Sequence, residues 1–228
     1  MKFRFIQEKQ SFRTAEAYRK LRANLMFCGG DVRVIAVTSC MPDAEKSDVT
    51  RRLAVNLAEA GKRVLLIDAD LRRSAMMEKV VVEGDAPGLS HLLSGQAEQE
   101  DVLLESENEN LRAILAGSFP PNPAELLARP RFRELVEDMR ERFDYVLIDT
   151  PPLGAVIDGA VAAGVCDGAI VVLRSGKVGC KLAREVKAQL EKANCRVLGV
   201  VLNGADAEKN SAYYGSPRFA AGREAKRK

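Results

Sequence analysis

The stretch VIAVTSCMPDAEKSD runs from Val34 to Asp48. Four β-formers, Val34, Ile35, Ala36 and Val37, lead into Thr38, Ser39 and a turn at Pro42, after which Lys46 and Ser47 open a segment of helical pattern through Ala60. Strand, loop and helix in that order frame a phosphate-binding loop, G-x-x-x-x-G-K-[ST]. In such a loop, backbone N–H groups and the helix N-terminus cradle phosphates, the Lys reaches the outer phosphates and the hydroxyl holds magnesium. Lys46 and Ser47 keep the last two positions, whereas Cys40 and Glu45 stand where the glycines would be. The candidate nucleotide-contact segment is therefore Cys40, Met41, Pro42, Asp43, Ala44, Glu45, Lys46, Ser47 and Asp48.

Glu45 is the larger departure, because the residue before the Lys lies against the phosphates and is usually Gly for its freedom at positive φ. A side chain in a left-handed conformation costs about 1–2 kcal/mol. A carboxylate about 4 Å from a phosphate charge costs about 4 kcal/mol at an effective dielectric near 20. Unless Glu45 turns to solvent or meets a cation, with Arg51 and Arg52 the candidates nearby, nucleotide affinity falls by about a thousandfold. Asp48 adds a second negative charge to the same turn.

Outward from this segment, apolar runs predict strands at Arg33 to Thr38, Arg63 to Ile67, Leu111 to Ala116, Tyr145 to Ile148, Ala169 to Leu173 and Val197 to Leu202. Phe132, Leu135, Val136, Met139 and Phe143 recur at helical spacing, as do Val178, Leu182, Val186 and Leu190. Asn122, Pro123 and Glu125 read as N-cap, first helical residue and reciprocal cap. Apolar strands separated by helices predict an α/β fold: a mostly parallel sheet with helices on both faces. Polar functional groups then gather at the carboxyl ends of the strands.

Two predicted strand ends carry carboxylates. VLLIDADLRR presents Asp68 and Asp70, and YVLIDTPP presents Asp149. An Asp just past a buried strand beside a phosphate loop is placed to hold magnesium directly or through water; taken singly, each is equally placed to cap the next turn. With Ser47, these residues form the candidate metal site, and Asp70 is also a candidate acceptor of a hydroxyl proton.

With 228 residues, 46% hydrophobic and 29% charged, the chain has enough apolar material for one full core. No apolar run approaches the 18 or so residues of a membrane span, and MKFRFIQEKQ has no signal-peptide core, so the expected location is the cytoplasm. The net charge of +3 does not imply nucleic acid. Cys28, Cys40, Cys166, Cys180 and Cys195 lack C-x-x-C pairing, which argues against a zinc cage; they read as small buried residues, with Cys40 alone beside a helix N-terminus that would lower its thiol pKa. His91 reads as a surface residue, and the basic end RFAAGREAKRK as a solvated terminus.

The segments AEAYRKLRANL, VTSCMPDAEKS, RVLLIDADLRR, PPNPAELL, DYVLIDTPPLGAVID and VLGVVLNG together resemble the bacterial tyrosine kinases of P-loop type, close to the cytoplasmic kinase subunits of capsule and exopolysaccharide systems. The resemblance implies a three-layer P-loop NTPase fold and an ATP- and Mg2+-dependent protein-tyrosine autokinase. By it, Lys46 and Asp70 are catalytic, and Ser47, Asp68, Asp70 and Asp149 serve magnesium. Tyr213 and Tyr214 are the phosphoacceptors, and Glu16, Arg19 and Arg22 match an E-x-x-R-x-x-R ring contact between subunits. It further implies a membrane chain-length-determinant activator that recruits the protein to the inner face of the membrane, a homo-oligomeric ring and a cognate tyrosine phosphatase. Residues 1–30 would form an N-terminal segment with the oligomer-contact helix, 31–206 the kinase domain and 207–228 a basic tail with the Tyr pair. The alternatives are a nucleotide-free pseudokinase subunit of the same system and a partitioning-type P-loop ATPase.

Overall fold

The computed structural model describes residues 1–6 and 11–205. In chain order the elements are β1 (Lys2–Phe5), α1 (Phe12–Met26), β2 (Val34–Ser39), α2 (Lys46–Glu59), β3 (Val64–Asp68), β4 (Val80–Val82), α3 (Leu89–Ser94), α4 (Gln99–Val102), β5 (Leu104–Ser106), β6 (Leu111–Ile114), α5 (Pro123–Leu127), α6 (Pro130–Arg142), β7 (Tyr145–Asp149), α7 (Asp158–Ala163), β8 (Gly168–Arg174), α8 (Cys180–Lys192) and β9 (Val197–Asn203). They build one sheet of strand order β4-β1-β5-β6-β3-β7-β2-β8-β9. From β6 to β9 along the sheet every pairing is parallel; among the described residues antiparallel pairs occur only at β1–β4 and β5–β6.

All six predicted strands are present within a residue or two of their expected ends. The three that the apolar runs did not signal, β1, β4 and β5, are short and lie toward one edge. Phe3 and Phe5 alternate with charged residues in β1 and stack edge to face at 5.2 Å, so that the N-terminal segment is part of the sheet.

Strand alternation feeds two faces. Ile35 and Val37 of β2 and Val64 and Leu66 of β3 pack with Leu53, Ala54 and Leu57 of α2, with Leu25 of α1 outside them. Leu65 and Ile67 of β3 and Val146 and Ile148 of β7 meet Leu89 and Leu93 of α3 and Phe132, Leu135 and Met139 of α6. Ala36, Ala169 and Val171 meet Val186 and Leu190 of α8. Full burial of each such Leu, Ile or Phe contributes about 1.5–3 kcal/mol. This fixes α2, and with it Lys46, at the carboxyl edge of the central strand.

Several local expectations need correction. Asn122 caps α5 without its side chain accepting a backbone N–H; its amide instead donates to Glu125 Oε2 at 2.7 Å, a side-chain tie in place of the reciprocal cap. His91 is half-buried, and its Nδ1 accepts from the Gly88 amide at 3.0 Å, closing the start of α3. Of the cysteines only Cys40 and Cys195 are buried, while Cys180 is exposed at the start of α8.

Candidate active site

β2 is flanked by β7 on one side and β8 on the other, so the loop after Ser39 rises between two neighbouring strand ends. The loop is anchored first to the segment after β7: Thr38 Oγ1 donates to Pro151 O at 3.0 Å, and Leu153 N to Ser39 O at 2.9 Å. Gly154 makes this approach possible, because a Cβ there would lie 2.0 Å from Cys40 O.

The loop backbone then takes positive φ twice without glycine, at Asp43 (φ 59°) and Glu45 (φ 59°, ψ 33°). The expectation that position 45 demands a left-handed conformation is met, with Glu in place. Its carboxylate is held by Arg174 Nη1 at 2.5 Å, from the end of β8, and by Asn203 Nδ2 at 2.8 Å, from the end of β9. Arg51 and Arg52 are committed elsewhere: they bind Asp48 at 2.5 and 2.6 Å. Burial pushes the Asp48 carboxyl up, but the hydrogen bonds and charges of the two guanidinium groups outweigh it and hold the carboxyl below its usual range. The charge that Asp48 brings is thus neutralised on its own helix. Arg51 also stacks its guanidinium over the Phe5 ring at 5.4 Å, tying β1 to α2.

Lys46 is buried at the first turn of α2, with Nζ 3.2 Å from Asp149 Oδ2, 3.3 Å from Asp70 Oδ2 and 3.2 Å from Ser47 Oγ. Burial disfavours its charged form, yet Asp149, Asp70 and Asp68 outweigh that cost and raise its pKa above the ordinary value. Asp149 Oδ1 also accepts from Thr50 Oγ1 at 3.0 Å. Asp68 is paired in register with Asp149 across β3 and β7; burial and then the Asp149 charge push its carboxyl well above the carboxylate range. Ser74 Oγ and the Asp70 amide donate to Asp68, and the Arg73 amide donates to Asp70 Oδ1 at 3.1 Å. Arg72 makes a two-pronged bond to buried Asp158.

A cavity of about 790 Å³ opens above these groups, within the usual range for small-molecule sites. Pro42, Asp43, Ala44, Glu45, Lys46, Ser47, Asp48 and Asp70 line it, as do Arg52, Arg72 and Arg174. Asp68 and Asp149 are fully buried behind Lys46. Cys40 is also buried outside the lining, and burial raises its thiol pKa, the reverse of the lowering expected from a helix N-terminus. Met41 faces a smaller adjoining cavity of about 300 Å³ with Arg174, Lys177 and Val178.

The oxygen donors Ser47, Asp70, Asp68 and Asp149 suit magnesium. Among the described residues no three carboxyl, thiol or imidazole groups form a direct metal cage. Arg72, Arg174 and Asn203 went unassigned in the sequence reading. The one signal available for Arg174 and Asn203 was their position at the carboxyl ends of predicted strands.

On α1, Glu16 and Arg19 pair at 3.0 Å, while Arg22 donates to Asn56 O of α2 at 3.0 Å. Tyr213 and Tyr214 lie outside the described residues. No helix among the described residues is long and apolar enough to cross a membrane.

Strand, phosphate loop, buried lysine and strand-end carboxylates define a P-loop NTPase-like domain, and the AAA domain family matches residues 32–197. Tyrosine-protein kinase CpsD of Streptococcus agalactiae is 36% identical over 220 residues, covering 96% of this chain and 95% of that one. The kinase domain of Escherichia coli tyrosine kinase ETK superposes with a TM-score of 0.80 at 34% identity, covering 84% of this chain and 76% of that one. Tyrosine-protein kinase ptk of Acinetobacter johnsonii is 38% identical over 201 residues, covering 87% of this chain but 27% of its own length. The chain belongs to the bacterial tyrosine-protein kinase family, as its motifs implied.

Proposed function

We propose that this protein is an ATP- and Mg2+-dependent tyrosine autokinase that regulates capsular or exopolysaccharide polymerisation and export. The observation that carries the reading is the buried Lys46 ammonium held against Asp70 and Asp149 beside Ser47, at the mouth of a cavity rimmed by arginines. Bound Mg2+ and ATP supply the transferable γ-phosphoryl group and part of its charge neutralisation. Lys46 leaves its carboxylate partners to bind the outer phosphates, and Ser47 and Asp70 face the cavity as metal-side oxygens. Asp149 and Asp68 retain the negative field beneath them. Asp70 takes the proton of the incoming tyrosine hydroxyl as the phosphoryl group passes to that oxygen and ADP leaves.

Tyr213 and Tyr214 are the acceptors in this reading, and Glu16, Arg19 and Arg22 of α1 are the contact to a neighbouring subunit in a ring. A membrane chain-length-determinant protein is the activating partner at the inner membrane face, with a cognate tyrosine phosphatase opposing it.

The test is incubation with Mg2+ and ATP, together with the activating partner, followed by phosphopeptide mapping. Phosphate on Tyr213 or Tyr214, with turnover reduced about a hundredfold or more in Asp70→Asn, supports the reading. Unmodified tyrosines throughout overturn it.

A further inference from the structure

Glu45 occupies the loop position where a phosphate-binding loop needs both a left-handed backbone and the absence of negative charge. Both demands converge on the same two distant residues. Arg174 Nη1 reaches Glu45 Oε1 at 2.5 Å and also lies 3.4 Å from Asp43 O. Asn203 Nδ2 reaches Glu45 Oε2 at 2.8 Å and Ala44 O at 3.3 Å. Each therefore grips one carboxylate oxygen and one backbone carbonyl of the loop, and the segment gripped contains the loop's two non-glycine positive-φ residues, Asp43 and Glu45. Both anchors stand at strand ends of the same parallel pair, in register with each other, so their separation is set by the sheet.

We propose that Arg174 and Asn203 are positioning residues that make a glutamate workable in this loop: they fix Glu45 in the left-handed conformation, neutralise its carboxylate and hold it against the ends of β8 and β9. The inference rests on the nucleotide-binding reading above. Charge alone does not account for the pair, since Arg174 and Glu45 are about half exposed and water screens such pairs strongly. The stronger effect is geometric, because a loop already held in its binding conformation loses less freedom when phosphates arrive. The role of Arg174 therefore depends on residue 45: glycine there adopts positive φ unaided and carries no charge.

The experiment is a double-mutant cycle read by calorimetric titration with a slowly hydrolysed ATP analogue and Mg2+, on wild type, Arg174→Ala, Asn203→Ala, Glu45→Gly and Glu45→Gly/Arg174→Ala. Nucleotide-free hydrogen exchange at the Asp43 to Asp48 amides provides a second readout. The proposal expects wild type to bind, Arg174→Ala to lose about tenfold or more in affinity, Asn203→Ala to lose less, and the double variant to bind within about threefold of Glu45→Gly. Loop amides exchange faster in Arg174→Ala and return toward the Glu45→Gly rate in the double variant. An equal loss from Arg174→Ala in both backgrounds overturns the proposal, because Arg174 then acts on the nucleotide itself. Binding by Glu45→Gly beside none by wild type overturns it while leaving the nucleotide site standing. Absence of binding in both removes the nucleotide reading as well.

Discussion

Lys46 Nζ lies 3.2 Å from Asp149 Oδ2, and both side chains are buried beneath the cavity. The ammonium compensates a cluster in which Asp68 and Asp149 are neighbours in strand register and Asp70 is 3.3 Å from the same nitrogen. Lys46 therefore has a structural charge role before any phosphate arrives.

Replacing Lys46 by Met removes the counter-charge from three buried carboxylates, of which Asp70 borders the cavity and Asp68 and Asp149 lie behind it. Stability in urea at pH 7.5 without magnesium should fall by about 3–5 kcal/mol, the usual result of breaking one side of a buried pair. Burial and the Asp149 charge already raise the Asp68 carboxyl and Lys46 opposes them, so without Lys46 the folded chain takes up a proton at Asp68 more readily and the deficit should shrink as the pH is lowered toward 5. An unchanged midpoint at both pH values would show that the cluster tolerates the loss of its cation.

Much of this arrangement was legible in the sequence, for reasons tied to particular residues. Strand-end aspartates and a Lys-Ser pair opening a helix are local patterns, and burial on both sheet faces makes the central strands continuous apolar runs. The partners of Glu45 were not legible locally, since Arg174 and Asn203 lie 129 and 158 positions away and meet it only through the strand order. Arg51 and Arg52 were the nearer cations, but their spacing of three and four residues from Asp48 on α2 directs them to that carboxylate. Strands β4 and β5 have three residues each, too short for a period of two to stand out.

Gly154→Ala places a Cβ only 2.0 Å from Cys40 O. Backbone cannot yield as a flexible side chain does, so the start of the phosphate loop or the segment after β7 must shift. Nucleotide affinity should drop about tenfold or more, with a lower melting temperature; calorimetry and thermal unfolding on the same sample check both. Wild-type affinity in this variant would mean the close approach has no part in shaping the loop.

Asp167, at the entrance to β8, accepts from the backbone amides of Arg33 (2.9 Å) and Val34 (2.8 Å) and from Arg140 Nη1 (2.8 Å). Burial raises its carboxyl pKa, but these bonds prevail and the pKa is lowered. The stabilisation is therefore present above the unfolded carboxyl range near pH 4 and is lost as pH falls through the lower folded value. Asp167→Asn should cost about 1–3 kcal/mol at pH 7 in urea unfolding, with the gap to wild type closing only below about pH 4. A gap that is constant from pH 7 to pH 3 would assign the effect to packing.

Cysteine reactivity should follow burial. Burial raises the Cys40 thiol, and it pushes that of Cys195 up to about 11, whereas Cys180 is exposed. Timed alkylation of the native protein at pH 8 with mass-spectrometric mapping should modify Cys180 well before Cys40 and Cys195. Early modification of Cys40 would contradict the closed packing of the loop against Gly154.

The most direct measurement is calorimetric titration of the wild-type chain with a slowly hydrolysed ATP analogue in the presence of Mg2+, with Glu45→Gly alongside. The structure places Glu45 on Arg174 and Asn203, and the predicted result is micromolar binding by the wild type. Binding by Glu45→Gly beside none by the wild type would contradict this account and make the chain a pseudokinase.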